Sequence, residues 1–239
     1  LELAKGLKHK NVNVKFAIEC RANDVKEEIL TALKEVGLVS VFLGIESGSP
    51  SVLMRYKKEI TVEQNQCAID IIRKLHIGLK MGFILFDEFS TLNELKENTD
   101  FLHKNNSCVF HPYRPLIVEK YSYNNQKAPL PIIRDERTKL AYELIKETCK
   151  ELLPYRAKLD KQRKIANQKP SAFKNSVYEI LGEFILFDKY GMDLLISLCG
   201  NPSFSPEIVK EEFGTFTKQF LQKVSMDFSK LEESEGIES

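Results

Sequence analysis

The sequence predicts an α/β protein: part of a (β/α) TIM-type barrel with about three to four parallel strands, followed by an all-helical C-terminal region. Three observations predict it. Strand-like segments alternate with capped amphipathic helices three times between Val12 and Lys104, which implies parallel strands joined by helical crossovers. From about Asp135 onward the apolar period is helical throughout. No G-x-G-x-x-G follows any strand, which removes the best reason to prefer an open dinucleotide-binding sheet over part of a barrel.

The elements follow in order. Val12–Glu19 (VNVKFAIE) alternates apolar and polar residues and then turns more apolar, as a strand entering a covered sheet does. Asn23 and Asp24 supply cap oxygens for a helix whose Val25, Ile29, Leu30, Leu33 and Val36 share one face and which Gly37 ends. Val39–Glu46 (VSVFLGIE) is a second strand, rich in β-branched and aromatic residues. After a polar break, Thr61-x-x-Gln64 is a capping box opening a helix to about Leu75. Leu79–Phe86 (LKMGFILF) is a third strand, and Thr91-x-x-Glu94 opens a helix to about Lys104. A weaker fourth strand is expected within Ser107–Ser122, its register blurred by Pro112 and Pro115. Helices are then expected over Arg137–Leu153, Phe173–Asp188, Gly191–Leu198 and Pro206–Phe228, the last opened by Ser205-Pro206. The expected partition is a barrel part over 1–125, a helical region over 126–228 and an acidic disordered tail over 229–239.

Composition bounds the function. The chain has 239 residues, 43% of them apolar, and a formal net charge of +1, so it offers no case for a nucleic-acid partner. Its longest apolar runs fall far short of the roughly 18 residues that span a bilayer, so no membrane partner is expected. Five cysteines, at 20, 67, 108, 149 and 199, form neither a disulfide framework nor a C-x-x-C pair, which suits a reducing, cytoplasmic compartment. The N-terminal residues carry no secretory signal pattern, and the chain reads as a piece of something longer. The basic stretch Arg156–Lys169 reads as a solvated helix face or linker rather than a phosphate site.

In barrels of parallel strands the loops after the strands face the functional end. That rule points to Glu19, Cys20 and Arg21 after the first strand, Glu46 and Ser47 after the second, and Asp87 and Glu88 after the third. Glu46 and Ser47 lie in Gly44-Ile45-Glu46-Ser47-Gly48-Ser49-Pro50, where glycines admit a ligand close to the backbone. A carboxylate there can accept from two neighbouring hydroxyls, as a ribose requires, although taken alone the pattern is better explained by a glycine-flanked turn with a solvated glutamate. Arg21 can clamp a carboxylate through its planar fork, or pair with Glu19 or Glu46. Glu19, Glu46 and Asp87 together form an alternative divalent-metal set. His9, His76, His103 and His111 read as surface or packing residues, and Cys67 and Cys149 as core thiols. Tyr113, Tyr121 and Tyr123 could line a substrate mouth or simply pack. There is no H-E-x-x-H, G-x-S-x-G or P-loop lysine motif.

Four blocks carry a resemblance. Phe16–Asn23 (FAIECRAN), Leu38–Pro50 (LVSVFLGIESGSP), Arg55–Gln66 (RYKKEITVEQNQ) and Met81–Thr91 (MGFILFDEFST) resemble the middle and later strands of the radical S-adenosylmethionine enzyme core. The nearest likeness is to the subgroup found behind a cobalamin-binding domain. The resemblance implies that Glu46 and Ser47, within Gly44-Ile45-Glu46-Ser47-Gly48, contact the ribose of S-adenosylmethionine. It also implies that Arg21, in Cys20-Arg21-Ala22-Asn23, touches the cofactor's methionine carboxylate, and that the Gly82 strand lies along the adenine. Asn23 stands where the family has an acidic residue, and Lys57-Lys58-Glu59 where it has asparagine-lysine-glycine.

The family binds a [4Fe-4S] cluster through C-x-x-x-C-x-x-C, whose three thiolates leave one iron open to S-adenosylmethionine. Here no two cysteines are closer than 41 positions, so this chain does not supply those ligands. The expected reading is a fragment that starts near the helix before the family's third strand, with the cluster loop upstream or on a partner chain. The resemblance further implies an enzyme that cleaves S-adenosylmethionine to a 5′-deoxyadenosyl radical or supports cobalamin-dependent methyl transfer, with cobalamin held by an upstream domain. Its substrate is unknown from sequence and no catalytic residue is named. The other reading is a non-catalytic half-barrel that binds a nucleoside or docks to a partner chain.

Overall fold

The computed structural model describes residues 2–10, 12–110 and 132–236, with side chains through residue 233. It divides into two compact units, Leu1–Leu85 and Phe86–Ser239.

In the first unit, helix α1 (Glu2–His9) precedes a three-stranded parallel sheet of order β1-β2-β3. Its strands are β1 (Phe16–Arg21), β2 (Leu38–Glu46) and β3 (Gly78–Phe83). They are joined through α2 (Glu27–Glu35), α3 (Pro50–Arg55) and α4 (Val62–Lys74). Alternation along β2 sorts its side chains onto two faces. Val41, Leu43 and Ile45 are fully buried on the face that meets α2 and α4, each contributing about 1.5–3 kcal/mol by leaving water. The opposite face carries Phe42 and Gly44, aligned with Glu19 and Arg21 of β1 and with Lys80 and Gly82 of β3.

The expected capping box of α4 is present: Gln64 N donates to Thr61 Oγ1 at 3.2 Å, and Thr61 N to Gln64 Oε1 at 2.8 Å. β1 starts at Phe16 rather than Val12. The chain at Val14 serves instead as a buttress, because Gly37, at φ 110°, lies so close that a Cβ there would be 1.8 Å from the Val14 carbonyl oxygen. A second difference is α3, placed in what composition suggested was a break. Its signal is Ser49-Pro50, a cap position followed by proline at the first turn.

The second unit begins with α5 (Leu92–Lys104), whose capping box at Thr91 and Glu94 is also present. Three long helices follow: α6 (Glu136–Ile165), α7 (Ser171–Gly200) and α8 (Pro206–Gly236). The Phe187 ring stacks on Phe220 with centroids 4.2 Å apart and on Phe216 at 5.2 Å. Helix α7 is continuous where the sequence suggested two helices meeting near Gly191. That glycine is a close-approach position: a Cβ there would meet the Phe216 ring at 3.0 Å and the Phe110 ring at 3.4 Å.

Residues 229–236, expected as a disordered tail, continue α8. Buried Leu231 and the 2.7 Å ion pair of Lys158 with Glu232 hold that end to α6. The basic stretch from Arg156 is largely the exposed end of α6, but Arg156 itself turns inward, its guanidinium 4.4 Å from the Phe184 ring centroid. The fourth strand expected within 107–122 and the Tyr113, Tyr121, Tyr123 group fall mainly or wholly outside the described residues, as does His111. Among the described residues no helix is long and apolar enough to cross a membrane.

Candidate functional site

The register brings three of the expected residues into one row. Arg21 pairs with Gly44, and Gly44 with Gly82, so these residues lie side by side across the C-terminal edge of the sheet. Arg21 is exposed, and among the described residues no carboxylate pairs with it. The two glycines form a floor with different occupants above each. A Cβ on Gly82 would meet the Phe42 ring at 3.0 Å, whereas a Cβ on Gly44 would meet Glu46 Oε1 at 3.3 Å. The glutamate carboxylate therefore folds back over Gly44, onto the face opposite the helices.

Two backbone irregularities put it there. The β2–β3 register shifts between Gly44 and Glu46, so that Gly44 pairs with Gly82 but Glu46 with Phe83. A bulge of this kind re-aims the side chain beside it. Glu46 itself has φ 65°, and Ser47 N donates to Ile45 O at 2.9 Å across it. That is the rare γ-turn with its central residue in the left-handed region, a strained conformation for a residue with a side chain.

The carboxylate is held by a cation. Lys58 Nζ donates to Glu46 Oε1 at 2.7 Å, with both side chains partly exposed. The flanking Lys57 and Glu59 have φ of 52° and 48°, so the loop turns sharply on both sides of Lys58. The Glu59 position is where the family resemblance has glycine, which adopts that conformation without penalty. Lys58 was missed as a site residue from sequence because its partner lies twelve positions earlier across a loop.

Ser47 and Gly48 are buried. The Ser47 hydroxyl accepts from Ser49 N at 3.0 Å, so it shapes the turn. Asn65 was also missed. It is fully buried on α4 and donates from Nδ2 to Ile45 O at 3.0 Å and to Ser47 O at 3.4 Å. Its signal was a polar residue on the same helical face as Ala68, Ile69 and Ile72.

The remaining candidates have structural duties. Asp87 and Glu88 belong to the second unit. Asp87 caps its own turn by accepting from Phe89 N at 2.8 Å, and Glu88 pairs with Arg134 at 2.6 Å. Among the described residues no three His, Cys, Asp or Glu side chains are grouped to hold a metal ion, so the carboxylate metal set of Glu19, Glu46 and Asp87 has no support.

Burial works against thiolate formation at three of the five cysteines. Burial raises the Cys20 thiol, with Asp24 adding to the effect. Burial pushes Cys149 up to about 12, Asp188 reinforcing the rise and Arg156 opposing it. Burial likewise pushes Cys199 up to about 11. Cys67, expected in the core, is exposed on the outer face of α4.

No family model matches the chain. A 4′-phospho-dehydrooxetanocin synthase of Priestia megaterium is 35% identical over 122 residues, covering 46% of this chain and 16% of that protein. An uncharacterised methyltransferase of Pyrococcus horikoshii is 27% identical over 104 residues, 44% of this chain and 23% of the relative. An anaerobic magnesium-protoporphyrin IX monomethyl ester cyclase of Cereibacter sphaeroides is 35% identical over 97 residues, 40% of this chain and 15% of the relative. The chain thus spans less than a quarter of these relatives.

Two solved structures of the cobalamin-dependent S-adenosylmethionine radical enzyme OxsB share the fold. With aqua-cobalamin bound, it matches at a TM-score of 0.57 and 19% identity, covering 97% of this chain and 43% of that one. With S-adenosylmethionine also bound, the values are 0.58 and 17%, covering 99% and 44%. The fold is thus α/β, a partial barrel of parallel strands with a helical C-terminal region. The homologues of this chain are radical S-adenosylmethionine enzymes, and its resemblance is to their cobalamin-associated subgroup.

Proposed function

We propose that this chain supplies the ribose and adenine side of an S-adenosylmethionine site in a radical enzyme. The observation that carries the reading is the placement of Glu46: bulge and γ-turn set its carboxylate over Gly44, in line with Arg21 and Gly82 at the C-terminal edge of a parallel sheet. A carboxylate so placed accepts hydrogen bonds from a ribose diol. Lys58 keeps it oriented while one oxygen remains for the sugar. Arg21, exposed and without a carboxylate of its own among the described residues, meets the carboxylate of the methionine moiety. The Phe42 ring, which lies over Gly82 and is exposed, offers its face to a flat base. Ser47 and Gly48 act through the turn.

The described residues fit that half of the cofactor. They do not fit an iron–sulfur cluster, because no two cysteines of the chain have the cluster-loop spacing. Cluster ligands and any cobalamin domain would come from the rest of the protein or from a partner chain. With them, bound S-adenosylmethionine would undergo reductive cleavage or take part in methyl transfer. The residues named here bind and orient it and keep water from the ribose side.

The test is Glu46→Ala in the full-length protein. Calorimetry with S-adenosylmethionine should show a loss of about 1.5–3 kcal/mol, that of a hydrogen bond to a charged group. Unchanged affinity removes Glu46 from the site.

A further inference from the structure

A γ-turn centred on a residue with a side chain does not persist unless its surroundings hold it. At Glu46 those surroundings include Asn65. Its Nδ2 donates to Ile45 O, the same oxygen that accepts Ser47 N, and makes a longer contact with Ser47 O. One amide group therefore bridges the carbonyls immediately before and after the strained residue. Asn65 does so from a fixed place: it lies in the first turns of α4, behind the Thr61 capping box, with its side chain wholly out of water.

The arrangement has a cost that stability alone does not explain. Asn65 Oδ1 is buried and has no hydrogen-bond partner. An orphaned amide oxygen is unfavourable, and an apolar residue of similar size at this face of α4 would carry no such penalty. What an apolar residue cannot do is tie two backbone carbonyls. Their separation fixes the Glu46 backbone and hence the direction in which its carboxylate leaves β2.

We infer that Asn65 is a positioning residue for nucleoside recognition: by bridging Ile45 O and Ser47 O it holds Glu46 where its carboxylate meets ribose hydroxyls. The inference rests on the proposed ribose contact of Glu46 and adds the residue that sets its aim. Asn65 acts through Glu46 and touches no ligand.

The test uses the full-length protein and two probes, adenosine and 2′,3′-dideoxyadenosine, whose affinity ratio reads the contact to the ribose hydroxyls alone. The wild type should prefer adenosine by about tenfold or more, the scale of hydrogen bonds to a carboxylate. Asn65→Asp keeps the volume but replaces the NH2 group, donor of both bonds, by a carboxylate oxygen facing the two carbonyl oxygens. It should bring the ratio close to one, as Glu46→Gln should, while affinity for the dideoxynucleoside stays the same. Asn65→Ser, which keeps one donor, should give an intermediate ratio and covers the case in which the aspartate variant does not fold. If either folded Asn65 variant weakens both nucleosides equally, or leaves the ratio at the wild-type value, Asn65 has no positioning role and the inference is overturned. A wild-type protein that binds both probes alike overturns the ribose reading of Glu46 itself, and with it this inference. The wild-type measurement alone distinguishes that failure from the other.

Discussion

The two units of the chain are constrained by different kinds of atoms. In the β/α unit the decisive contacts involve backbone: Gly37 against the Val14 carbonyl, Glu46 in a γ-turn, and carbonyls of residues 45 and 47 tied by Asn65. In the helical unit they involve side chains: the Phe187, Phe216 and Phe220 rings, and the buried carboxylate of Asp188. Side chains in a helical core can adjust by rotamer and small helix shifts, whereas a backbone carbonyl moves only if the chain around it moves. A unit that must hold one carboxylate in a strained position gains from the second kind of constraint.

Glycine substitutions in the two units test this contrast with the largest effects. At Gly37 an added Cβ would lie 1.8 Å from the Val14 carbonyl oxygen, in a backbone conformation that side chains rarely adopt. Gly37→Ala should therefore destabilise the protein by more than about 4 kcal/mol, in the range reserved for backbone conflict and strain. At Gly191 the obstacle is a Phe216 ring atom at 3.0 Å, which can move, so Gly191→Ala should cost about 1–3 kcal/mol, as overpacking does. Urea unfolding of both variants measures the difference. Equal costs would remove the distinction between the units.

The same contrast explains what could be read from the sequence. Local signals survived into the structure: both capping boxes, the parallel order of three strands, and the start of α8 at Ser205-Pro206. The caps are legible because their partners lie within three residues, and the parallel order because a helix stands between each strand and the next. Ser49-Pro50 is the same signal and predicts α3, but a six-residue helix has no apolar period to draw notice. Gly191 misled because a glycine inside an apolar helical run reads as a break, whereas its reason lies across the bundle on α8. Likewise Leu231 holds residues 229–236 in helix although their composition is polar.

At the site, Glu46 and Arg21 are legible from strand ends, since the C-terminal edge of a parallel sheet is a topological fact. Lys58 and Asn65 are not, because each reaches that edge through space from a later element. Cys67 was placed in the core on the apolar pattern of α4, yet the buried positions of that helix are 65, 68, 69 and 72. The polar residue, not the thiol, occupies the inward face.

A second, smaller effect tests the side-chain constraint in the helical unit. Asp188 Oδ1 accepts from Val109 N at 2.9 Å and Oδ2 from Phe110 N at 2.8 Å, and His103 Nε2 lies 2.8 Å from Oδ1. Asp188 is 1% exposed, so its removal leaves two backbone N–H groups buried without their acceptor. Asp188→Ala should lower stability by about 3 kcal/mol, since each abandoned buried group costs about 1–3 kcal/mol. Asp188→Asn keeps one acceptor and should lose less. Equal losses in chemical denaturation would show that a single amide oxygen holds nothing here and that both carboxylate oxygens are needed at once.

The smallest effect belongs to the counterpart of Asp188 in the first unit. Thr61 also accepts a backbone N–H, that of Gln64, but at an exposed helix start where water can replace it. Thr61→Ala should therefore cost about 1 kcal/mol, the usual value of an N-cap, to be read as a shift in the denaturation midpoint. Its second readout bears on the site. Asn65 follows Gln64 directly, so if the cap fixed the γ-turn, losing it would also change the preference for adenosine over 2′,3′-dideoxyadenosine. The bonds of Asn65 to Ile45 O and Ser47 O do not involve Thr61, and its place on α4 is secured by the burial of Ala68, Ile69 and Ile72. The expected outcome is lower stability with an unchanged ratio. A ratio that fell with the cap would move the aim of Glu46 from one buried amide to the whole start of the helix.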